Sequence, residues 1–534
     1  MAFEYTVNGK IISLPVDPKS VAVRFSEPSG TADRRAAIEP TPEVGSFDER
    51  YEVPNEKLTI VPLAQPDDRT GTAVNAAFAA LRGTAGVDQV NPVFAIGSKQ
   101  VVVPNRVIVG FKSDSSAVTQ ILDSFGGKVL ERLGTGNEYV VQLPLDISPF
   151  DVAQDLTKNT EVSYAEPDFV AIGSHLARPK SEADDAAGGG ENKAEIDQPE
   201  DAFAIAPAFA GDPFLKFKYA ARKVKADQAW QIVEGSPDIK IAILDDGVYG
   251  KHPDLSPAIA GVFDAVTGNP NNPNSWDGHG TACAGLACAR PSGQIGIRGM
   301  SGGCSLLAVR IASSTKAGAK WTVSQANVVR GIEWARDKGA DVLSNSWGSG
   351  LPSTAIFNAL ERARLEGRNG KGCVIVVAAG NDSGAVDFPA NQPDVLAVAA
   401  SNEDDQPKTA TSSDGESWWG SNFGPEIDLA APGVHNFTTA IAPATNSGNK
   451  FLPGEYLKDF NGTSSATPIV AGIAGLVLSV NPDLTEGQVR CLLKETADKV
   501  GSVIYTDGRN NQMGHGRVNA LRAVTAASTF NDNC

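Results

Sequence analysis

Five short segments carry the residue types that chemistry at a carbonyl would need. "IAILDDG" (241–247) ends an apolar run in Asp245 and Asp246, and "DGHGTACAG" (277–285) sets His279 ahead of a run of small residues. "LSNSWGSG" (343–350) ends an apolar run at Ser346, and "VVAAGND" (376–382) ends another at Asn381. "NGTSSATP" (461–468) places Ser464 just before "IVAGIAGLVLSV". Taken singly, each has a plain reading. Aspartate after a strand makes turns, and a histidine, serine or threonine before a helix caps it. Pro468 is tolerated only near a helix start, so three hydroxyl side chains crowd one helix N-terminus. In order along the chain they supply an acid, an imidazole, a strand-end "SWG", an amide and a helix-start serine. Together these fill every role of an acyl-transfer site.

The elements that must position them are legible. From about residue 213, nearly continuous apolar runs at 239–246, 305–311, 341–347, 373–381 and 395–401 alternate with helical segments. Such runs belong to a parallel sheet covered by helices on both faces. In these sheets functional side chains gather at the carboxyl ends of strands, where the polar clusters stand here.

Within this frame, residues 213–525 resemble the catalytic domain of the subtilisin-like serine proteases (subtilases). "HGT", "AAGN", "GTSSATP" and the closing "GHGRVNALRAV" (514–524) carry the resemblance. It implies an α/β fold, a subtilisin-like three-layer parallel sheet with helices on both faces. It also implies a triad of Asp245, His279 and Ser464 and an oxyanion amide at Asn381. Ser346, Trp347, Gly348, Ala379 and Gly380 would bind an extended substrate. In such a triad the imidazole takes the serine's proton and the aspartate holds it in the right tautomer. Thr463 and Ser465 would shape and cap the turn. Asp246 and Cys283 follow the kexin branch, and Cys283, one turn after His279, would lie near the imidazole. The acids that kexin-like preference for basic residues needs are missing after Trp347, and Asp382 and Asp387 read as loop residues, so substrate preference stays open. Asp254 in "HPDL" matches a family calcium ligand. One carboxylate does not make a site of six or more oxygens, so structural calcium is an option, with no cofactor required for catalysis.

Ahead of this domain the chain looks duplicated. "GKIISLPVDPKSVAVRF" (9–25) parallels "SKQVVVPNRVIVGFK" (98–112), and "NEKLTIVPL" (55–63) parallels "NEYVVQLPL" (137–145). Residues 73–97 parallel 149–173 as helix then strand. The second copy reads β-α-β-β-α-β, a ferredoxin-like order. It ends in "YAEPDFV" (164–170) and resembles the family's propeptides. The expected organisation is an α+β, degenerate propeptide-like repeat (1–97), a propeptide-like inhibitor domain (98–173), an acidic linker carrying the processing site (174–212) and the catalytic domain (213–534). By the same resemblance, the segment after Val170 would lie along Ser346–Gly348 until self-cleavage.

The expected partners are peptide or protein substrates and the chain's own propeptide-like domain. The net charge of −17 argues against nucleic acid, and no apolar run spans a bilayer comfortably; oligomeric state is not legible. Without a basic segment and apolar core at the start, the chain as it stands is expected in the cytoplasm, or secreted if a leader has been removed. The six cysteines have no metal spacing and are expected to be mostly free thiols. A competing reading makes the N-terminal half a partner-binding module that governs a rarely released protease.

Overall fold

The computed structural model describes residues 3–26, 30–53, 56–66, 71–97, 99–113, 117–173, 219–269, 273–291, 296–348, 350–441 and 456–530. The expected linker, 174–212, lies outside them.

A seven-stranded sheet organises the second half. Its order is Ile259–Asp264, Ser305–Arg310, Lys240–Asp245, Val342–Asn345, Val374–Ala378, Leu396–Ser401 and Leu429–Pro432. Every neighbouring pair is parallel. Alternation along one strand shows why the apolar runs are continuous. Ile241 and Ile243 enter one core, while Ala242 and Leu244 enter the other. The first core holds helices His279–Cys288, Thr463–Val480, Glu486–Glu495 and Ala520–Ser528; the second holds Gln325–Asp337 and Thr354–Glu366. Thr463–Val480 is long and apolar enough to cross a membrane, yet 89% of it is buried inside the fold. It is the core helix of this domain.

The propeptide-like segment forms a four-stranded antiparallel sheet in the order Val162–Pro167, Arg106–Phe111, Glu138–Gln142, Lys128–Leu133. With helices Ala117–Asp123 and Pro149–Leu156 this is the β-α-β-β-α-β order read from the sequence. One face of its sheet shares the second core through Ile108, Leu133, Val140 and Tyr164. The motif "YAEPDFV" fixes the docking. The Glu166 carboxylate, fully buried, accepts from the Ser353 hydroxyl (2.6 Å) and from the N–H groups of Thr354 (2.9 Å) and Ala355 (3.1 Å), so it caps helix Thr354–Glu366. Asp168 accepts from the Ala326 N–H (3.3 Å) at the start of Gln325–Asp337. Two carboxylates of one segment thus meet two helix N-termini, where free N–H groups and the helix dipole favour negative charge.

The first repeat has the same strand order in its own sheet, Val87–Ile96, Val16–Phe25, Leu58–Pro62, Glu52–Val53. That sheet continues through Lys99–Val102 and Val170–Gly173 onto the catalytic strands Trp321–Ser324 and Ala312–Ser313. Of the segment expected along Ser346–Gly348, only 171–173 belong to the described residues. Val170–Gly173 pairs antiparallel with Trp321–Ser324 on one side and with Lys99–Val102 on the other. With Ala312–Ser313 on one side, the other edge of Trp321–Ser324 has its backbone groups satisfied by this added strand.

Four cysteines, Cys283, Cys288, Cys304 and Cys373, are free and buried. Cys491 is disulfide-bonded, unlike the thiol majority. Cys534 lies outside the described residues.

Candidate active site

The carboxyl end of strand Lys240–Asp245 delivers two carboxylates, which divide their work. Asp245 accepts from the His279 ring at Nδ1, 2.8 Å from Oδ1 and 3.0 Å from Oδ2. Asp246 accepts from the backbone N–H groups of His279 (3.1 Å) and Gly280 (2.7 Å), and so caps the helix that carries the imidazole. Gly280 is required for that approach. A Cβ there would stand 2.3 Å from the Gly247 carbonyl oxygen and 2.8 Å from the Asp245 Cβ. Burial and the adjacent Asp245 charge push Asp246 well above the ordinary carboxyl range. Burial pulls the His279 imidazole down, but the Asp245 charge and hydrogen bond together with the neighbouring Cys283 more than offset it and leave the ring well above its usual value.

Ser464 sits in the first turn of Thr463–Val480, and the proline four residues later shapes its surroundings. Pro468 has no N–H to give the Ser464 carbonyl. That carbonyl instead accepts from the Ser346 hydroxyl (2.9 Å) and the Cys283 thiol (3.5 Å). The Ser464 hydroxyl in turn donates to the Ser346 carbonyl (3.3 Å). Cys283 also lies 3.9 Å from His279 Nδ1. The thiol therefore touches both the imidazole and the serine's backbone. Burial pushes it up to about 11, so it is an uncharged packing group at neutral pH rather than a reactive thiolate. The ring of Phe460 covers the imidazole edge to face at 5.3 Å.

Neither hydroxyl flanking Ser464 caps the helix, whose N-cap is Gly462. Thr463 ties down the amide instead. Its N–H and its hydroxyl both donate to Asn381 Oδ1 (2.9 Å each), and its hydroxyl oxygen accepts from the Gly380 N–H (3.2 Å). With Oδ1 committed, Nδ2 is the donor end of Asn381. Ser465 accepts from Asn436 Nδ2 (3.0 Å). Trp347 is buried, and the Ala379 carbonyl accepts from Asn422 Nδ2 (3.2 Å). A Cβ on Gly348 and one on Gly380 would both meet Asp387, so these two backbones face the same side chain. The strand edge Trp321–Ser324 is the element that sequence reasoning missed; its only signal is the alternating "WTVS" just before a helix.

Asp254 stands apart from this cluster. Its Oδ2 accepts from the Ile297 N–H and the Tyr456 hydroxyl, both 2.8 Å. His252 Nδ1 accepts from the Asp254 N–H (3.1 Å), and among the described residues Asp254 belongs to no group of three or more carboxylate, imidazole or thiol ligands, so these residues alone do not make a calcium shell. The one described group of carboxylate, imidazole and thiol within ligand reach is Asp245, His279 and Cys283, whose polar atoms lie within 4.8 Å of one another.

Comparison with known proteins shows the family. A family profile described as the subtilase family matches residues 236–516, and one described as the fervidolysin N-terminal prodomain matches 88–168. Thermitase of Thermoactinomyces vulgaris is 35% identical over 315 residues, covering 59% of this chain and 98% of that protein. A calcium-dependent protease of a Nostoc species is 32% identical over 475 residues, covering 81% of this chain and 65% of its own. The crystal structure of fervidolysin from Fervidobacterium pennivorans superposes with a TM-score of 0.62 at 23% identity, covering 79% of this chain and 61% of that one. That last likeness is one of fold. None of these matches favours the reading of the N-terminal half as a partner-binding module.

Proposed function

The chain belongs to the subtilase family and is a serine endopeptidase with a prodomain, and on that premise we propose that Asp245, His279 and Ser464 are its triad. One observation carries the assignment: the two-oxygen contact of Asp245 on His279 Nδ1, beside the helix start that bears Ser464. With Nδ1–H held by Asp245, the other ring nitrogen is the base. It takes the Ser464 proton as the hydroxyl oxygen attacks the scissile carbonyl. It then returns that proton to the leaving amine, and a water completes hydrolysis of the acyl-enzyme by the same route. Asn381 Nδ2 and the N–H groups of the serine's helix start stabilise the negative oxygen that forms. An extended substrate adds as a strand along Trp321–Ser324, with Ser346–Gly348 flanking it.

In the same reading the protein is a latent precursor that cuts itself within 174–212. Strand Val170–Gly173, lying on Trp321–Ser324, supports latency, because a tethered tail holds that edge at high effective concentration. Intact mass of wild type beside Ser464→Ala, after incubation at neutral pH, tests both statements. Wild type is expected to lose about a third of its mass while the variant stays whole; a variant that shortens equally would remove Ser464 from the reaction. For location, the disulfide at Cys491 supports an oxidising compartment over the cytoplasm.

The base must be neutral to accept a proton. Because the Asp245 charge raises His279, kcat/KM is expected to rise with pH through a midpoint above about 6.5, the ordinary imidazole value. A profile already flat from pH 6 upward would count against this pairing.

A further inference from the structure

We propose that Glu416 is a positioning residue for the reaction: the two oxygens of its carboxylate tie the turn that leads into Ser464 to the segment that clasps Asn381, and so fix the oxyanion donor against the nucleophile. The inference rests on the protease reading above and deepens it by one residue outside the triad.

Segment 419–422 grips the turn that bears Asn381. The Gly420 N–H donates to the Asn381 carbonyl (3.4 Å), and the Gly420 carbonyl accepts from the Ser383 N–H (3.0 Å). Asn422 closes on the same turn. Its Nδ2 donates to the Ala379 carbonyl (3.2 Å), and its Oδ1 accepts from the N–H groups of Asp382 (2.9 Å) and Gly384 (3.1 Å). Wherever this segment moves, the Asn381 backbone moves with it. On the nucleophile's side, Asn461 stands just ahead of Gly462, the N-cap of the helix that bears Ser464. Its Oδ1 accepts from the His435 N–H (2.5 Å), which turns Nδ2 towards Glu416.

One buried carboxylate joins the two sides. Glu416 Oε1 accepts from Asn461 Nδ2 and Oε2 accepts from Trp419 Nε1, both at 2.6 Å, and all three residues are buried. Glu416 is itself held. The buried Lys408 ammonium donates to the Glu416 carbonyl (2.6 Å), pairs with Asp414 (3.1 Å) and lies 4.8 Å from the centre of the Trp419 ring. Thr463 links Asn381 to the helix start from within, through Asn381 Oδ1. Glu416 links the two backbones from outside, so the donor end of Asn381 is set in distance as well as direction. Taking the carboxylate away leaves two buried N–H groups without their acceptor, and the turns that carry them shift to find another. Oxyanion donors act only where the developing charge will stand, and a displacement of about 1 Å costs about 100-fold in rate. The hydrogen bonds that Glu416 makes go to Asn461 and Trp419 and not to Trp321–Ser324 or Ser346–Gly348, so its loss falls on the chemical step rather than on binding.

The test uses the full chain brought to constant mass at neutral pH. Variants are treated with immobilised wild type, which is then filtered off, so that all chains are compared at one length. Two rates are read well below each variant's melting temperature. One is hydrolysis of a tetra-alanine p-nitroanilide; the other is labelling of Ser464 by a small fluorophosphonate, whose phosphoryl oxygen takes the oxyanion's place. Glu416→Ala is expected to lower kcat and the labelling rate about 100-fold each, with KM within about twofold of wild type. Glu416→Gln keeps the shape but offers one acceptor to two donors, and should lower both rates about tenfold. It decides the question by itself if Glu416→Ala does not fold. Wild-type rates in a folded variant overturn the proposal, and so does a loss carried by KM with kcat and labelling unchanged; Glu416 then only packs its loop. Failure of the fluorophosphonate to label Ser464 in wild type would instead overturn the protease reading itself.

Discussion

Replacing His279 with alanine is expected to lower kcat about a million-fold, as far as replacing Ser464 does, because the two act as one unit. Without the imidazole the serine hydroxyl keeps its proton, and an alcohol is a poor nucleophile at its ordinary pKa. Among the described residues the Ser464 hydroxyl donates to the Ser346 carbonyl, and a carbonyl oxygen is no base. The variant also empties the space between Asp245, Cys283 and Phe460, so some stability is lost with the ring. The comparison is therefore made well below the variant's own melting temperature, with the double variant His279→Ala/Ser464→Ala alongside. The double variant should be no slower than either single one. If the losses multiply, or if His279→Ala keeps even a hundredth of the activity, the two residues do not share one proton and the triad assignment fails.

The parts of this site that could be read from sequence are those whose side chains carry the signal. Strand ends were visible because a strand buried on both faces must be apolar throughout, so the first polar residues mark its carboxyl end; Asp245 and Asn381 follow from that rule. The division of labour between Asp245 and Asp246 was not visible, since both are aspartates at one strand end and only the helix start at His279 separates them. Nor was the pairing of Val170–Gly173 with Trp321–Ser324. It is made from backbone groups that every residue but proline offers, and so leaves almost no trace in residue type. Asp387 shows the same limit from another side. In sequence it is a loop acid; its setting depends on two distant glycines that bring their backbones to it. Thr463 and Ser465 read as residues that shape and cap the turn because hydroxyls before a helix usually cap it; here Gly462 is the cap, Ser465 donates to its carbonyl and Thr463 holds Asn381.

Removing the Glu166 carboxylate is expected to loosen prodomain docking about a thousandfold. The Ser353 hydroxyl and the N–H groups of Thr354 and Ala355 all lose their acceptor in a fully buried place. Each such orphan costs about 1–3 kcal/mol, and partial entry of water leaves roughly 4 kcal/mol, which is the thousandfold. The same carboxylate makes docking sensitive to pH. Burial, only partly offset by its three donors, raises Glu166 from an ordinary 4.5 to about 7 in the docked chain. Between those values the docked state binds the extra proton. Docking is therefore strongest below about 4.5, weakens as pH climbs to about 7, and levels beyond it. Hydrogen exchange at Thr354 and Ala355 reads the undocked fraction directly. It is measured in the uncut Ser464→Ala chain and corrected for intrinsic rates. Glu166→Ala should exchange these two amides about a thousandfold faster at pH 5 and show little further change with pH, while Glu166 itself should lose protection steadily from pH 5 to 7. If both chains protect these amides equally, the helix N-terminus is held by something other than this carboxylate, and the prodomain is docked by its apolar face alone.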